Sequence, residues 1–284
     1  MAVGRGAGRT WLIGVGAVGR GGLRVRGMFG WLRERRRRRI RERAWPEGWD
    51  AIIDENVALA RELEPGRRQR LRDRIMVFVE ETYWEGAGGL VLDEEMQVTI
   101  AAQACLLVLD RDEELYRDVS SIVVYPSAVV TPPRRPALFE QPTAPIGHGR
   151  VVIGEAMMGG PVVLAWDAVL AGGRGEVAGN VVLHELAHKL DMAGGRVNGT
   201  PPLKRRGDRE RWARVCNEAF ARHRGAVDAG WPTMMDAYGA TNEAELFAVA
   251  TEMYFTRPAE LAFEHPELYE LLADFYRGRI EVDV

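Results

Sequence analysis

The sequence predicts an α+β fold: a helical N-terminal layer, a small mixed sheet, and a second group of helices, one of which carries His184 and His188. Three observations predict it. Apolar residues recur at spacings of three and four over 56–60, 71–83 and 98–109; β-branched runs bounded by Pro and Gly occupy 121–166; and helical spacing returns after Gly179-Asn180. At 284 residues, with 46% hydrophobic and 28% charged side chains, the chain is long enough to bury a substantial core.

Residues 1–45 are set apart by charge. They hold thirteen Arg against two Glu, a charge of +11, so the remainder carries −14 to reach the formal −3. The run 33–43 lacks interleaved aromatics and any nucleic-acid-binding module, so a solvated, disordered arm is expected there and nucleic acid is not expected as a partner. Residues 11–18 are too short and too rich in Gly for a membrane span, which needs about eighteen or more apolar residues. They are followed at once by Arg, not by a small-residue cleavage site, so a signal peptide is not expected either. Both Met1 and Met28 are candidate starts, Met28 opening the more protein-like stretch. Cys105 and Cys216 stand far apart with no CxxC pairing, which points to neither a thiolate metal site nor a disulfide framework. A reducing, cytoplasmic setting is the expectation.

From Trp45 onward the elements follow in order. Residues 46–110 read as the helical layer, punctuated by Pro65-Gly66 and by the glycines at 86–89. Strands are predicted at 122–125, 151–153 and 161–166, with the Pro-rich stretch 131–145 as an exposed loop. Strand 161–166 fits two readings, a cleft edge that pairs with an extended peptide or an ordinary core strand. Helices are then predicted through the histidines and over 209–224, 242–255 and 267–277. The expected domain covers 46–278, with 279–284 as a tail.

The chemistry concentrates in His184-Glu185-Leu186-Ala187-His188. Two histidines four apart on a helix lie one above the other, so both imidazoles can reach one cation about 2.0–2.1 Å away. Glu185, one residue further round, is placed beside such a metal, where its carboxylate can take a proton from bound water. Asn180 is the candidate N-cap, and Ala187 leaves room between the two rings. Zinc suits hydrolysis of a stable amide, since it acidifies water and polarises a carbonyl without redox chemistry. The expected cofactor is therefore one Zn2+, in a zincin-like metallopeptidase acting on a peptide substrate. A catalytic zinc needs a third protein ligand. The remaining histidines are scattered singly, so a carboxylate is expected, and the acids of helix 242–252 are the candidates. Periodicity does not choose among them. Glu245 also completes a capping pattern with Asn242, which needs no metal. Asp191, three residues after His188, falls on much the same face and is a candidate to hold a ligand imidazole in its tautomer, as is Glu252.

The segments 184–191, Asn198-Gly199-Thr200-Pro201-Pro202-Leu203 and 238–249, with Gly160-Pro161-Val162 ahead of them, resemble the MtfA peptidases. These are bacterial zinc-dependent enzymes linked to regulation of glucose uptake. The likeness covers most of 28–278. It implies Glu245 as the third zinc ligand and a gluzincin-type core similar to that of anthrax lethal factor, in which a Tyr seven residues before the ligating Glu faces the metal. Tyr238 holds that position, and its phenol is a candidate hydrogen-bond donor to the oxyanion; a packing Tyr is the other reading. The resemblance further implies aminopeptidase-like cleavage of short peptides. It also raises a second function of a different class, sequestration of an Mlc-like transcription repressor, because enteric members of the family bind that protein.

Overall fold

The structure is a computed structural model that describes residues 22–131, 150–152, 154–156, 160–279 and 281–282. The stretch 11–18 and nearly all of the Pro-rich segment 131–145 lie outside the described residues. The chain divides into two units, 1–43 and 44–284.

In the first unit, Gly22–Arg41 form helix α1, which corrects the expectation of an arm without regular structure. Arg is a good helix former, and its repulsions are relieved here by Glu34 and Glu42. Arg41 pairs with Glu34 at 3.0 Å and Arg38 with Glu42 at 2.9 Å, while the Arg35 guanidinium lies over the Trp31 ring. These pairs are exposed and each is worth little.

The second unit opens with helices α2 (Trp49–Asn56), α3 (Ala58–Arg61) and α4 (Pro65–Glu81). Strand β1 (Tyr83–Gly86) follows, where the sequence reading had the helix running to Tyr83. The aromatic residues there become extended because they pair with a later strand, a preference that local spacing does not reveal. Helix α5 (Glu94–Leu107) is capped by Asp93, which accepts from the Met96 amide at 2.9 Å, and Glu94 and Glu95 favour its N-terminal dipole. Every residue from Val98 to Leu107 is buried, which makes α5 the central helix of the core.

The strands are β2 (Ser121–Tyr125), β3 (Val129–Thr131), β4 (Arg150–Val152), β5 (Gly154–Ala156) and β6 (Val162–Ala165). Three of them join β1 in a mixed sheet of order β1-β2-β6-β5, parallel except for β5, while β3 and β4 pair separately. Because β6 lies between β2 and β5, its backbone is already paired on both sides. Of the two readings of strand 161–166, the structure therefore leaves the core strand, and among the described residues the sheet edge on this side belongs to β5. Trp166 does not continue the strand but starts helix α6 (Trp166–Arg174). The glycines that mask α6 in the sequence are there for closeness: a Cβ on Gly173 would lie 2.5 Å from the Asn56 carbonyl oxygen.

Helices α7 (Val181–Met192), α8 (Arg206–Asp228), α9 (Glu243–Thr256), α10 (Pro258–Glu264) and α11 (Pro266–Tyr276) complete the unit. Helix α7 packs between α5 and α9, burying Val182, Leu183, Leu186, Ala187 and Leu190. The expected tail is tied back to the body, since Val282 bridges to Leu203 and the Lys204 amide donates to the Glu281 carbonyl at 2.9 Å. Among the described residues, no helix is long and apolar enough to cross a membrane.

Candidate metal centre

The first turn of α7 is held by Asn180, whose side chain accepts from the Leu183 amide at 3.0 Å. That cap starts the helix in a register that turns His184 and His188 toward α9 and the leucines toward α5. Helix α9 starts in the same way, with the Asn242 side chain accepting from the Glu245 amide at 3.0 Å. The two readings of Glu245 thus prove compatible. Its backbone takes the cap, and its carboxylate turns away to the histidines.

Three donor atoms then converge. His184 Nε2, His188 Nε2 and Glu245 Oε2 lie 3.2 Å from one another on all three sides. A tetrahedral zinc site with bonds of about 2.0–2.1 Å has ligand-to-ligand edges of about 3.3 Å, so this triangle is one face of such a site. The chemistry fits as well. His184 Nδ1 lies 2.6 Å from Glu252 Oε1, so this carboxylate can hold the Nδ1 proton and leave Nε2 available to a metal. Nε2 faces the Glu245 carboxylate and a second imidazole, a cluster that calls for positive charge at its centre. His184 shows the same demand: burial opposes a charge on it, yet hydrogen bonds to Glu245 and Glu252 raise its pKa to about 10. The same cluster holds the Glu245 carboxyl well below the usual range, its burial being outweighed by the two histidines.

Glu252 therefore sits where a carboxylate can orient a ligand ring, and its second oxygen accepts from the Asn180 amide at 2.7 Å. The carboxylate of Asp191 is used differently: it takes the amides of Asn198, Gly199 and Thr200 at 3.3, 2.8 and 2.8 Å. Its charge reaches His188 through space, while burial raises its own pKa. The 198–200 loop is in turn anchored by Trp212, whose indole N–H donates to the Gly199 carbonyl at 2.8 Å. Gly199 has φ +72°, and a Cβ there would lie 2.3 Å from the Glu243 carbonyl oxygen. This loop spaces the end of α7 from the start of α9.

Tyr238 stands on a 3-10 turn, Ala237–Ala240, capped by Asp236. Its hydroxyl donates to Glu245 Oε1 at 3.2 Å, and its ring centroid is 6.1 Å from that of His184. It is 40% exposed, facing a cleft of about 1100 Å³ whose wall also includes His184, Glu185, His188 and Glu245. Glu185 is buried beside the two histidines.

Two polar residues behind the site escaped the sequence reading. Gln103 on α5 accepts from the Asn180 side chain at 2.8 Å, so the cap of α7 is fixed from the core. Lys189, also buried, donates to the Gly160 carbonyl at 2.7 Å and ties α7 to the approach of β6. The available signal was a polar residue on an otherwise apolar helix face, which is ordinarily discounted as a surface position.

A small mixed sheet against a helix that offers two histidines to one point, with a carboxylate supplied from the next long inner helix, defines a zincin-like metallopeptidase fold. The chain belongs to the family described as glucose-regulated metallo-peptidase M90, whose pattern it matches over residues 31–277. It is 34% identical over 250 residues to an uncharacterized protein of Synechocystis sp., covering 87% of this chain and 89% of that one. It is 34% identical over 194 residues to Mlc titration factor A of Serratia proteamaculans, covering 66% of this chain and 71% of the relative. Against Mlc titration factor A of Yersinia pestis the identity is 30% over 227 residues, with 78% and 82% covered.

Proposed function

We propose that the chain hydrolyses peptide bonds with one zinc ion held by His184, His188 and Glu245, acting on short peptides in the manner of an aminopeptidase. The observation that carries this reading is the triangle of donor atoms 3.2 Å on each side, backed by Glu252 on the far nitrogen of His184. Zinc bound there supplies a water acidified to a pKa of about 7 and a Lewis acid for the scissile carbonyl. Glu185 takes the proton of the attacking water and delivers it to the leaving amine, a role supported by its burial beside the histidines in the cleft wall. The Tyr238 hydroxyl, exposed in the same cleft, swings from Glu245 to the oxyanion as charge develops. The β5 edge, next to α7, aligns the substrate main chain by strand addition. In this reading 46–278 is the catalytic domain, 1–45 is dispensable for chemistry, and the protein works in the cytoplasm, in keeping with its two free cysteines.

Glu185→Gln tests the assignment. The variant is expected to bind zinc as the parent does and to lose peptide hydrolysis by about 10²–10⁴-fold. Hydrolysis at the parental rate would remove Glu185 from the mechanism. A second reading is favoured by the name that two of the relatives carry, Mlc titration factor A: binding of a repressor, with hydrolysis secondary. Pull-down from the native cell separates the two, because a repressor retained equally by metal-free protein and by Glu185→Gln favours sequestration.

A further inference from the structure

The C-terminal turn of α9 faces two cavities. Met253 and Arg257 line the metal cleft, whereas Tyr254, Phe255 and Pro258 line a second cavity of about 520 Å³. Arg67 and Arg70 reach it from α4, Asp110 from the turn after α5, and Tyr276 and Arg277 from the end of α11. Three separate stretches of chain thus bring three guanidiniums and one carboxylate together, a local charge of +2 on a body that carries −14 beyond residue 45.

Asp110 is shared between two of the arginines. Arg67 donates to its Oδ2 at 2.7 Å and Arg70 to its Oδ1 at 3.0 Å, which holds both guanidiniums at the cavity. Arg277 has no carboxylate partner among the described residues and stands against the Tyr254 phenol. The wall beside them is aromatic and fixed. The rings of Tyr254 and Tyr276 stack with centroids 5.4 Å apart, and the Tyr276 hydroxyl is hydrogen-bonded to Thr251 Oγ1 at 2.8 Å. Bracing of Asp110 accounts for Arg67 and Arg70, whereas Arg277 meets only the neutral Tyr254 phenol, so its charge is not balanced by a carboxylate among the described residues.

We propose that this cavity is a second binding site, separate from the metal centre, for a small phosphomonoester. Its dianion lies among Arg67, Arg70 and Arg277, and its apolar or ring portion lies on the Tyr254–Tyr276 wall. A dianion balances the local charge, which a carboxylate monoanion would only halve. Guanidiniums match phosphate oxygens in pairs, and pockets for small ligands span about 300–1000 Å³.

The test is calorimetric titration of the purified full chain with phenyl phosphate, inorganic phosphate and phenol. One phenyl phosphate is expected to bind, more tightly than either fragment, with an affinity that falls about tenfold in Arg277→Gln and in Arg70→Gln. Arg70 is half exposed, so its replacement leaves the fold intact. Phosphate held at the metal centre would be indifferent to both substitutions. Binding unchanged in the two variants, or no saturable binding at millimolar phenyl phosphate, would overturn the proposal.

Discussion

Replacing Glu252 by Gln keeps the shape of the side chain and changes only what it can accept. In the parent, Oε1 faces His184 Nδ1 at 2.6 Å and Oε2 faces the Asn180 amide at 2.7 Å. When the Nε2 of His184 is committed to a metal, both of these partners are N–H donors. Glutamine has one acceptor oxygen, so its NH2 must confront one of the two donors, at a cost of about 1–3 kcal/mol. The cap of α7 cannot yield without disturbing a buried helix start, whereas His184 can yield by moving its proton to Nε2. That tautomer removes the lone pair from the metal site. The penalty in the zinc-loaded protein therefore falls on zinc affinity, which is expected to drop about 10–100-fold. Competition against a chromogenic chelator at pH 7 measures it. Unchanged zinc affinity in Glu252→Gln would refute the reasoning.

Other expectations follow from single contacts. Tyr238→Phe removes the only polar atom of that side chain and is expected to lower kcat by about 10²-fold with KM little changed and zinc retained; an unaltered kcat would leave the phenol a packing group. Gly199→Ala places a methyl group 2.3 Å from the Glu243 oxygen at φ +72° and is expected to destabilise the fold by more than about 2 kcal/mol, read as a lower urea midpoint. His265 is held down to about 4 by burial, then by the Arg222 guanidinium and by His223, against the pull of Glu264. Because this folded-state value lies below the unfolded one of about 6.5, the stability it contributes is whole above pH 6.5 and is lost as pH falls through 4, a change of about 3 kcal/mol. Comparing metal-free parent with metal-free His265→Gln isolates that share; acid limbs of equal depth would exclude it.

What the sequence disclosed about the fold follows the range of the forces involved. Helix α7 was legible because its cap, its apolar face and the four-residue histidine spacing are all local. Helix α9 was legible for the same reason, yet the choice among its acids was not, since only the packing of α9 on α7 brings Glu245 and Glu252 to different nitrogens of one ring. Strand β1 was missed because its extended form comes from pairing with β2, and α6 because the closeness of Asn56 demands the very glycine that weakens its helical signal. Asp191 was expected, from its place on the histidine face of α7, to hold a ligand imidazole, whereas its carboxylate takes the amides of a loop whose position no periodicity encodes. Helix α1 was discounted on charge alone, although two glutamates at suitable spacing relieve it.

The strap formed by Asp191, residues 198–200 and Trp212 bears on how the protein matures as well as on its final geometry. His184 and His188 are brought together by one turn of helix, but His188 and Glu245 are separated by 57 residues, a closure that costs about 3–4 kcal/mol of chain entropy. During synthesis the two imidazoles can gather on α7 before α9 exists, and two imidazoles hold any divalent ion only loosely. The third donor arrives once the strap has set the distance between the helices. If the proposed zinc is held there, its three-ligand site would be complete only once the fold is finished.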